Sequence, residues 1–89
     1  MPVTISLDSA LVRRTNKNNI EVNASSVEEA IKELNILYPG FESDILDSEN
    51  GGVRESLQIF VNGTEILDDL NTPIPDGSTI DIVRLMVGG

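Results

Sequence analysis

The sequence predicts an α+β domain in which one main helix covers one face of a small sheet. Three observations lead to this fold class. Several short stretches alternate apolar and polar residues, as half-buried strands do. One longer stretch repeats apolar residues at the helical period. The predicted order of elements is strand, strand, helix, strand, short strand, strand, and this order alone is compatible with several α+β folds.

Two alternating stretches near the N-terminus predict a hairpin. The residues between them, 8–19, are polar, and we expect a solvated loop that contains a basic cluster and turns at residues 16–19. The inward residues are Val3, Ile5 and Leu7 in the first strand and Ile20, Val22 and Ala24 in the second. The basic cluster consists of Arg13, Arg14 and Lys17.

The main helix is predicted over residues 26–37. Ser26 and Glu29 have the spacing of a capping box, in which the serine hydroxyl accepts from the Glu29 amide and the glutamate reaches back. Glu28 and Lys32 form a favourable pair on the solvent side, and Pro39 follows the last turn. The stripe that we expect to face the core consists of Val27, Ala30, Ile31, Leu34 and Leu37.

After this helix we expect a short helical turn carrying Phe41, Ile45 and Leu46, and then a surface loop over residues 47–52. The loop is acidic and rich in glycine, but its spacing does not fit a calcium site. Counted from its first residue, the fifth and twelfth positions are Gly51 and Gln58, where a calcium loop needs oxygen ligands and a bidentate glutamate.

The second half of the chain predicts three strands and two turns. Asn62-Gly63 is the strongest short hairpin signal, and Pro75-Asp76-Gly77 is a turn in which glycine takes a positive φ. Between them residues 67–74 are expected to be irregular. Alternation turns Leu57, Ile59 and Val61 inward in the strand before the hairpin, and Ile80 and Ile82 inward in the last strand, 78–85. The outward residues are then Phe60, Asp81 and Val83.

Composition limits the function classes. With 89 residues the chain has room for one domain. Its net charge of −9 argues against a nucleic-acid partner and favours a protein with a basic docking face. Histidine and cysteine are both absent, which excludes a catalytic triad and a zinc site, so we expect no enzyme activity and no bound metal. No apolar run approaches the roughly 18 residues of a membrane span, and no signal peptide is recognisable, so we expect a cytoplasmic location and no membrane partner.

Three motifs occur in a specific order and spacing. They are QIFVNG over residues 58–63, PDGSTIDIV over residues 75–83, and the terminal Gly88-Gly89. With LYPGF over residues 37–41 and the first strand, they make nearly the whole chain resemble the ubiquitin-like sulfur-carrier family of MoaD/ThiS type. The resemblance implies a β-grasp (ubiquitin-like) fold, with a mixed sheet of four to five strands, parallel first and last strands at its centre and one main helix on one face. The chain departs from many members at Ser78, where aspartate is common, and from the molybdopterin-synthase branch at Arg84, where proline is common.

The C-terminal glycine pair follows an apolar run without a spacer. Because neither Gly88 nor Gly89 has a side chain, the end of the chain is a thin strip of backbone with a free carboxylate, which can enter a narrow enzyme channel. The alternative is a frayed terminus without a function. We divide the chain into a β-grasp domain, residues 1–86, and a flexible tail, residues 87–89.

The family resemblance implies that a partner enzyme adenylates the Gly89 carboxylate and that a thiocarboxylate is then formed, which donates sulfur in molybdopterin-like or related cofactor biosynthesis. The chain would bind no cofactor itself, because ATP and Mg would belong to an activating enzyme of the ubiquitin-activating type. A second partner would be a sulfur-accepting synthase subunit. The residues expected to bind partners are Phe60, Val83, Leu85, Met86 and Val87.

Two other functions remain open on the sequence alone. The same tail suits a ubiquitin-like modifier that forms an isopeptide bond through Gly89. A β-grasp adaptor would instead bind through its sheet and never use its terminus. The sequence also leaves open whether the sulfur acceptor belongs to a molybdopterin, thiazole, cysteine or RNA-thiolation route, and it does not define the oligomeric state.

Overall fold

The computed structural model describes residues 2–47, 49, 51–66 and 69–84. This part of the chain contains five strands and three helices, in the order strand, helix, strand, helix, helix, strand, strand, strand. The strands are β1 (Pro2–Leu7), β2 (Asn19–Asn23), β3 (Leu57–Val61), β4 (Thr64–Glu65) and β5 (Thr79–Arg84). The helices are α1 (Ser9–Thr15), α2 (Val27–Leu37) and α3 (Phe41–Ile45).

The five strands form one mixed sheet in the order β2-β1-β5-β3-β4. The first and last strands, β1 and β5, run parallel as neighbours, and the other pairings are antiparallel. This arrangement confirms the predicted α+β class and the β-grasp topology, with the last strand at the centre of the sheet. The C-terminal segment therefore follows directly on a central strand.

The core lies between the sheet and helix α2. Inward side chains line up across the strands, because Ile5 is paired with Ile20 on one side and with Ile80 on the other. Ile82 is likewise paired with Ile59. The helical residues buried against this layer are Val27, Ala30, Ile31 and Leu34. These positions confirm the register that alternation predicted for β1, β2, β3 and β5.

The expectation of a solvated loop over residues 8–19 is wrong, because α1 lies within it. Leu11 and Val12 are partly buried against the core, and their amides donate to the Asp8 carbonyl at 2.8 and 3.1 Å. Thr15 is buried, and its hydroxyl donates to the Lys17 carbonyl at 2.9 Å. A helix of seven residues with two adjacent apolar residues on the core is too short for a periodic signal to stand out.

Helix α2 begins as predicted. Ser26 is its N-cap, and its hydroxyl accepts from the Glu29 amide at 3.2 Å. The glutamate reaches back one residue further than a capping box requires and accepts from the Ser25 amide at 3.2 Å. The expected pair of Lys32 and Glu28 is present at 3.1 Å.

The prediction that Leu37 belongs to the core is wrong, because 55% of it is exposed. The helix ends at this residue, and the chain turns away with Tyr38 at φ −133°. Tyr38 packs partly buried against the core instead, with its ring 6.5 Å from that of Phe41. Tyr38 lies four residues after Leu34, which is the spacing that continues the apolar face of the helix.

The predicted helical turn after α2 is confirmed as α3, with Phe41 and Ile45 buried. The segment before β5, expected only to be irregular, forms hydrogen bonds with the N-terminal end of α2. Its Leu70 carbonyl accepts from the Glu28 amide at 2.9 Å, and the Ile74 amide donates to Ser25. No helix in the described part of the chain is long and apolar enough to span a membrane.

Candidate functional site

The outer face of the sheet is the side turned away from α2. One row of residues crosses all five strands of this face, from the edge strand β2 to the edge strand β4. In order from β2 it consists of Asn19, Ser6, Asp81, Phe60 and Glu65. An aromatic side chain therefore lies between two carboxylates near the middle of a mostly polar face.

Phe60 and Val83 both lie on this outer face, as alternation predicted. Phe60 is paired with Asp81, whereas Val83 is paired with Gln58, so the two apolar residues are diagonal neighbours. Diagonal residues are about 7–8 Å apart, which long side chains can bridge. Both residues are half-buried. The apolar area is thus narrower than a fully exposed pair would give, and its role in binding a partner stays a prediction.

Acidic residues share the outer face with this apolar pair, and two of them, Asp81 and Glu65, flank Phe60 across the strands. Glu21, Glu65 and Asp81 are on the outer face, and the Gln58 amide donates to Glu65 at 3.2 Å. Among the outward residues of the described strands there is no lysine or arginine. The face therefore combines a small apolar centre with an acidic rim, which complements a basic partner surface.

The two predicted turns meet at the start of β5. Asn62 has φ 51° and Gly63 has φ 88°, as a two-residue hairpin turn with positive φ at both positions requires, and Gly77 has φ 79°. Asn62 Oδ1 accepts from the Thr79 amide at 3.0 Å, and its Nδ2 donates to the Ser78 hydroxyl at 3.2 Å. The hairpin turn is thereby bonded to the start of the last strand.

Ser78, one of the departures from the family pattern, is almost fully buried in this junction. Its hydroxyl donates to the Pro75 carbonyl at 2.6 Å while accepting from Asn62. Its hydroxyl therefore acts as both donor and acceptor within this junction.

At its other end β5 reaches Arg84, which is paired with Leu57 of β3. The remaining predicted site residues lie outside the described residues, and so does the boundary proposed between domain and tail. They are Leu85, Met86, Val87, Gly88 and Gly89.

A surface depression of about 290 Å³ is found elsewhere, beside α3. Its lining comes from α3 and the loop after it, and none of these residues lies on the outer sheet face or on β5. The lining residues are Glu42, Ser43, Leu46, Asp47 and Gly51. Within the described ranges, no group of three or more His, Cys, Asp or Glu residues is arranged to hold a metal ion.

A comparison of the sequence with models of protein families identifies its family. The model of the ThiS family matches residues 7–89, a range that includes the central strand β5, both turns and the terminal glycine pair. The chain belongs to the ThiS family. The match confirms the resemblance to the ubiquitin-like sulfur carriers. These are small proteins that generally act as carriers and not as catalysts.

Solved structures share the fold of this ThiS family member. CysO from Mycobacterium tuberculosis has a TM-score of 0.85 at 24% identity, covering 94% of this chain and 99% of that one. SAMP1 from Haloferax volcanii has a TM-score of 0.84 at 17% identity, covering 100% of both chains. The Amycolatopsis orientalis BexX/CysO complex gives a TM-score of 0.83 at 22% identity, covering 98% and 99%. None of the curated proteins matches this sequence.

Proposed function

We propose that this protein is a sulfur carrier whose C-terminal Gly89 carboxylate is adenylated by a partner enzyme and converted to a thiocarboxylate. The observation that carries the proposal is the terminal Gly88-Gly89 at the end of a chain that belongs to the ThiS family. The fold supports it, because the segment that ends in these glycines follows the central strand β5 in the chain.

The chemistry needs activation because a carboxylate is a poor electrophile. An oxygen of the Gly89 carboxylate attacks the α-phosphorus of ATP, and pyrophosphate leaves. A sulfur donor at the oxidation level of sulfide then attacks the acyl carbon, and AMP leaves with the electrons of the broken C–O bond. The product is a thiocarboxylate whose sulfur is a nucleophile for transfer to an acceptor.

The partner enzyme supplies the catalytic groups in this proposal. ATP and Mg are bound by an activating enzyme of the ubiquitin-activating type, and this chain binds neither. The acidic rim of the outer face predicts a basic docking surface on that enzyme, with Phe60 and Val83 at the centre of the contact and residues 85–87 leading into its channel. A structural neighbour, CysO of Amycolatopsis orientalis, is seen in a complex with BexX, which supports a role that depends on a partner.

The acceptor side of the reaction requires a second partner. We propose a sulfur-accepting synthase subunit in molybdopterin-like or related biosynthesis, docking on the same face after the activating enzyme has left. Among the structural neighbours is a protein described as a putative molybdopterin converting factor subunit from Pyrococcus furiosus, at 16% identity and a TM-score of 0.74.

A protein modifier is the second candidate. It uses the same Gly89 carboxylate, with a lysine amine instead of sulfur as the nucleophile. A neighbour from Methanosarcina acetivorans is described as a small archaeal modifier protein, at 22% identity and a TM-score of 0.83. The shared fold does not separate the two fates of the activated terminus.

Mass spectrometry of the protein purified from its native cells separates these candidates. The carrier proposal predicts a fraction of intact chains whose mass has increased by the difference between sulfur and oxygen, located at Gly89 by fragmentation. A variant without Gly88-Gly89 is the matched control and must lack this species. A ladder of larger conjugates without any thiocarboxylate would instead establish the modifier.

A further inference from the structure

Asp8 lies where the pairing of the two central strands would otherwise stop. The last residue pair of β1 and β5 joins Leu7 to Ile82. The Asp8 amide continues the parallel ladder by donating to the Ile82 carbonyl at 3.0 Å. In a parallel ladder the next bond would run from the Arg84 amide to the main-chain carbonyl of Asp8.

That carbonyl is already occupied. It accepts from the amides of Leu11 and Val12 at 2.8 and 3.1 Å, which begins helix α1. The side chain of Asp8 takes its place, because Oδ2 accepts from the Arg84 amide at 2.8 Å. The other carboxylate oxygen, Oδ1, accepts from the Ser9 hydroxyl at 3.2 Å.

At the end of β5, the Arg84 amide therefore donates to a carboxylate, where a regular ladder would offer a main-chain carbonyl. A charged acceptor makes a shorter and stronger bond to an amide than a neutral one does. Arg84 is the residue before segment 85–89, and its partner on the other side is Leu57 of β3. With the Asp8 carboxylate, β5 is therefore held from both sides as far as Arg84, the last residue before that segment.

Resting on the proposed function, we propose that Asp8 is a positioning residue for the C-terminal tail. Without its carboxylate, the pairing of β5 with β1 would end at the Leu7–Ile82 pair, two residues earlier. An extended residue spans at most about 3.6 Å, so the point at which the chain is held on this side would recede by about 7 Å. The position from which the Gly89 carboxylate approaches ATP would then be less well defined.

The test compares three full-length variants with the wild type. Asp8→Ala removes the acceptor for the Arg84 amide. Asp8→Asn keeps one oxygen in place and removes the charge. Ser9→Ala removes the hydroxyl that donates to Oδ1 of the carboxylate and leaves the bond to Arg84. A carboxylate at the far end of β5, Asp76, provides the charge-matched control Asp76→Ala, since it is exposed in the turn before the strand.

Two measurements are made on each variant. Amide hydrogen exchange by NMR reports the protection of the Arg84 amide, relative to the amide of Ile82 in the same sample. ATP–pyrophosphate exchange with the cognate activating enzyme gives kcat and KM for the carrier. Circular dichroism at the assay temperature confirms that each variant is folded.

For Asp8→Ala we expect exchange at Arg84 to rise about tenfold and kcat to fall about tenfold or more, since small misplacements of a reacting group are costly. KM should change less than about twofold, because the outer face is intact. Asp8→Asn should restore most of both values. Ser9→Ala and Asp76→Ala should resemble the wild type.

Wild-type kcat and KM for Asp8→Ala, in an assay where the wild type is active, would overturn the positioning role and leave the carrier function standing. A loss in Asp8→Ala that Asp8→Asn fails to restore, or an equal loss in Ser9→Ala, would also overturn it. An inactive wild type would refute the carrier function and the positioning role together, whatever the Arg84 amide shows.

Discussion

The two faces of the sheet use the same strands for different purposes. Ile59 and Ile82 face α2 and are 1% and 0% exposed, while their chain neighbours Phe60 and Asp81 lie on the outer face, half-buried. The inner face contains only close-packed apolar side chains in its central rows. The outer face places one aromatic ring between carboxylates. Along each strand, residues that stabilise the fold therefore alternate with residues available for recognition. Substitutions at neighbouring positions should affect the two properties separately.

The largest effect is expected from a charge on the inner face. Ile59→Asp should abolish the folded state, because the buried, unpaired carboxylate has no hydrogen-bond partner there. Phe60→Asp, one residue further, should leave the domain folded but lower the free energy of unfolding by about 1–3 kcal/mol, because a half-buried ring is lost and a third carboxylate is placed opposite Asp81 and Glu65. Thermal melts followed by circular dichroism compare the two variants. If Phe60→Asp unfolds and Ile59→Asp does not, the register of β3 is shifted by one residue.

The same contrast should appear along helix α2. Leu34→Ala, which empties a fully buried position, should lower the free energy of unfolding by about 2–5 kcal/mol. Leu37→Ala, three residues later, should cost less than about 0.5 kcal/mol, since that side chain is exposed. Urea denaturation of both variants gives the two values. Equal losses would mean that the end of α2 packs as the periodic stripe predicted and not as described above.

The outer face should matter for association more than for folding. Phe60→Asp is expected to weaken binding to the activating enzyme at least about tenfold, as loss of a central aromatic contact does. Isothermal titration calorimetry measures the affinity, and Thr4→Ala on the same face serves as a control that leaves the apolar centre unchanged. If Phe60→Asp binds with unaltered affinity, the docking surface lies elsewhere on the domain.

A smaller effect should follow from the acidic rim. Glu65→Gln is expected to slow association with a basic partner by about two- to fivefold at low salt. At about 1 M salt, where the screening length is about 3 Å, the difference should disappear. Stopped-flow association rates at both ionic strengths test this. A difference that persists at high salt would show that Glu65 contributes a short-range contact instead of a long-range field.

Sequence patterns predicted most of the fold because its signals are local. Alternation set the inward residues of β3 and β5, and the Asn62-Gly63 and Gly77 turns have the positive φ values that those residues accommodate. No local pattern predicts helix α1, because it depends on a short apolar pair packing on the core. The apolar stripe predicts Leu37 inside because periodicity alone does not show where a helix ends and the chain turns away.

The candidate site was predicted unevenly for a similar reason. Phe60 and Val83 follow from alternation, and the terminal glycines are visible in the sequence. The contact between Asp8 and Arg84 joins residues 76 positions apart. It depends on β1 and β5 being parallel neighbours and on the Asp8 carbonyl being used by α1, so no local pattern contains it.

Deletion of Gly89 tests the central claim most directly. The shortened chain ends in a carboxylate on Gly88, which lies at most about 3.6 Å short of the wild-type position if the domain docks unchanged. Because attack on phosphorus needs the reacting atoms about 3–3.5 Å apart, ATP–pyrophosphate exchange with the cognate activating enzyme should fall at least about 100-fold. Gly88→Val, which keeps the length but adds a branched side chain, should fail as well, and thermal melts of both variants should match the wild type. Exchange at the wild-type rate by the Gly89 deletion would contradict activation of the tail and would favour an adaptor that binds through its sheet.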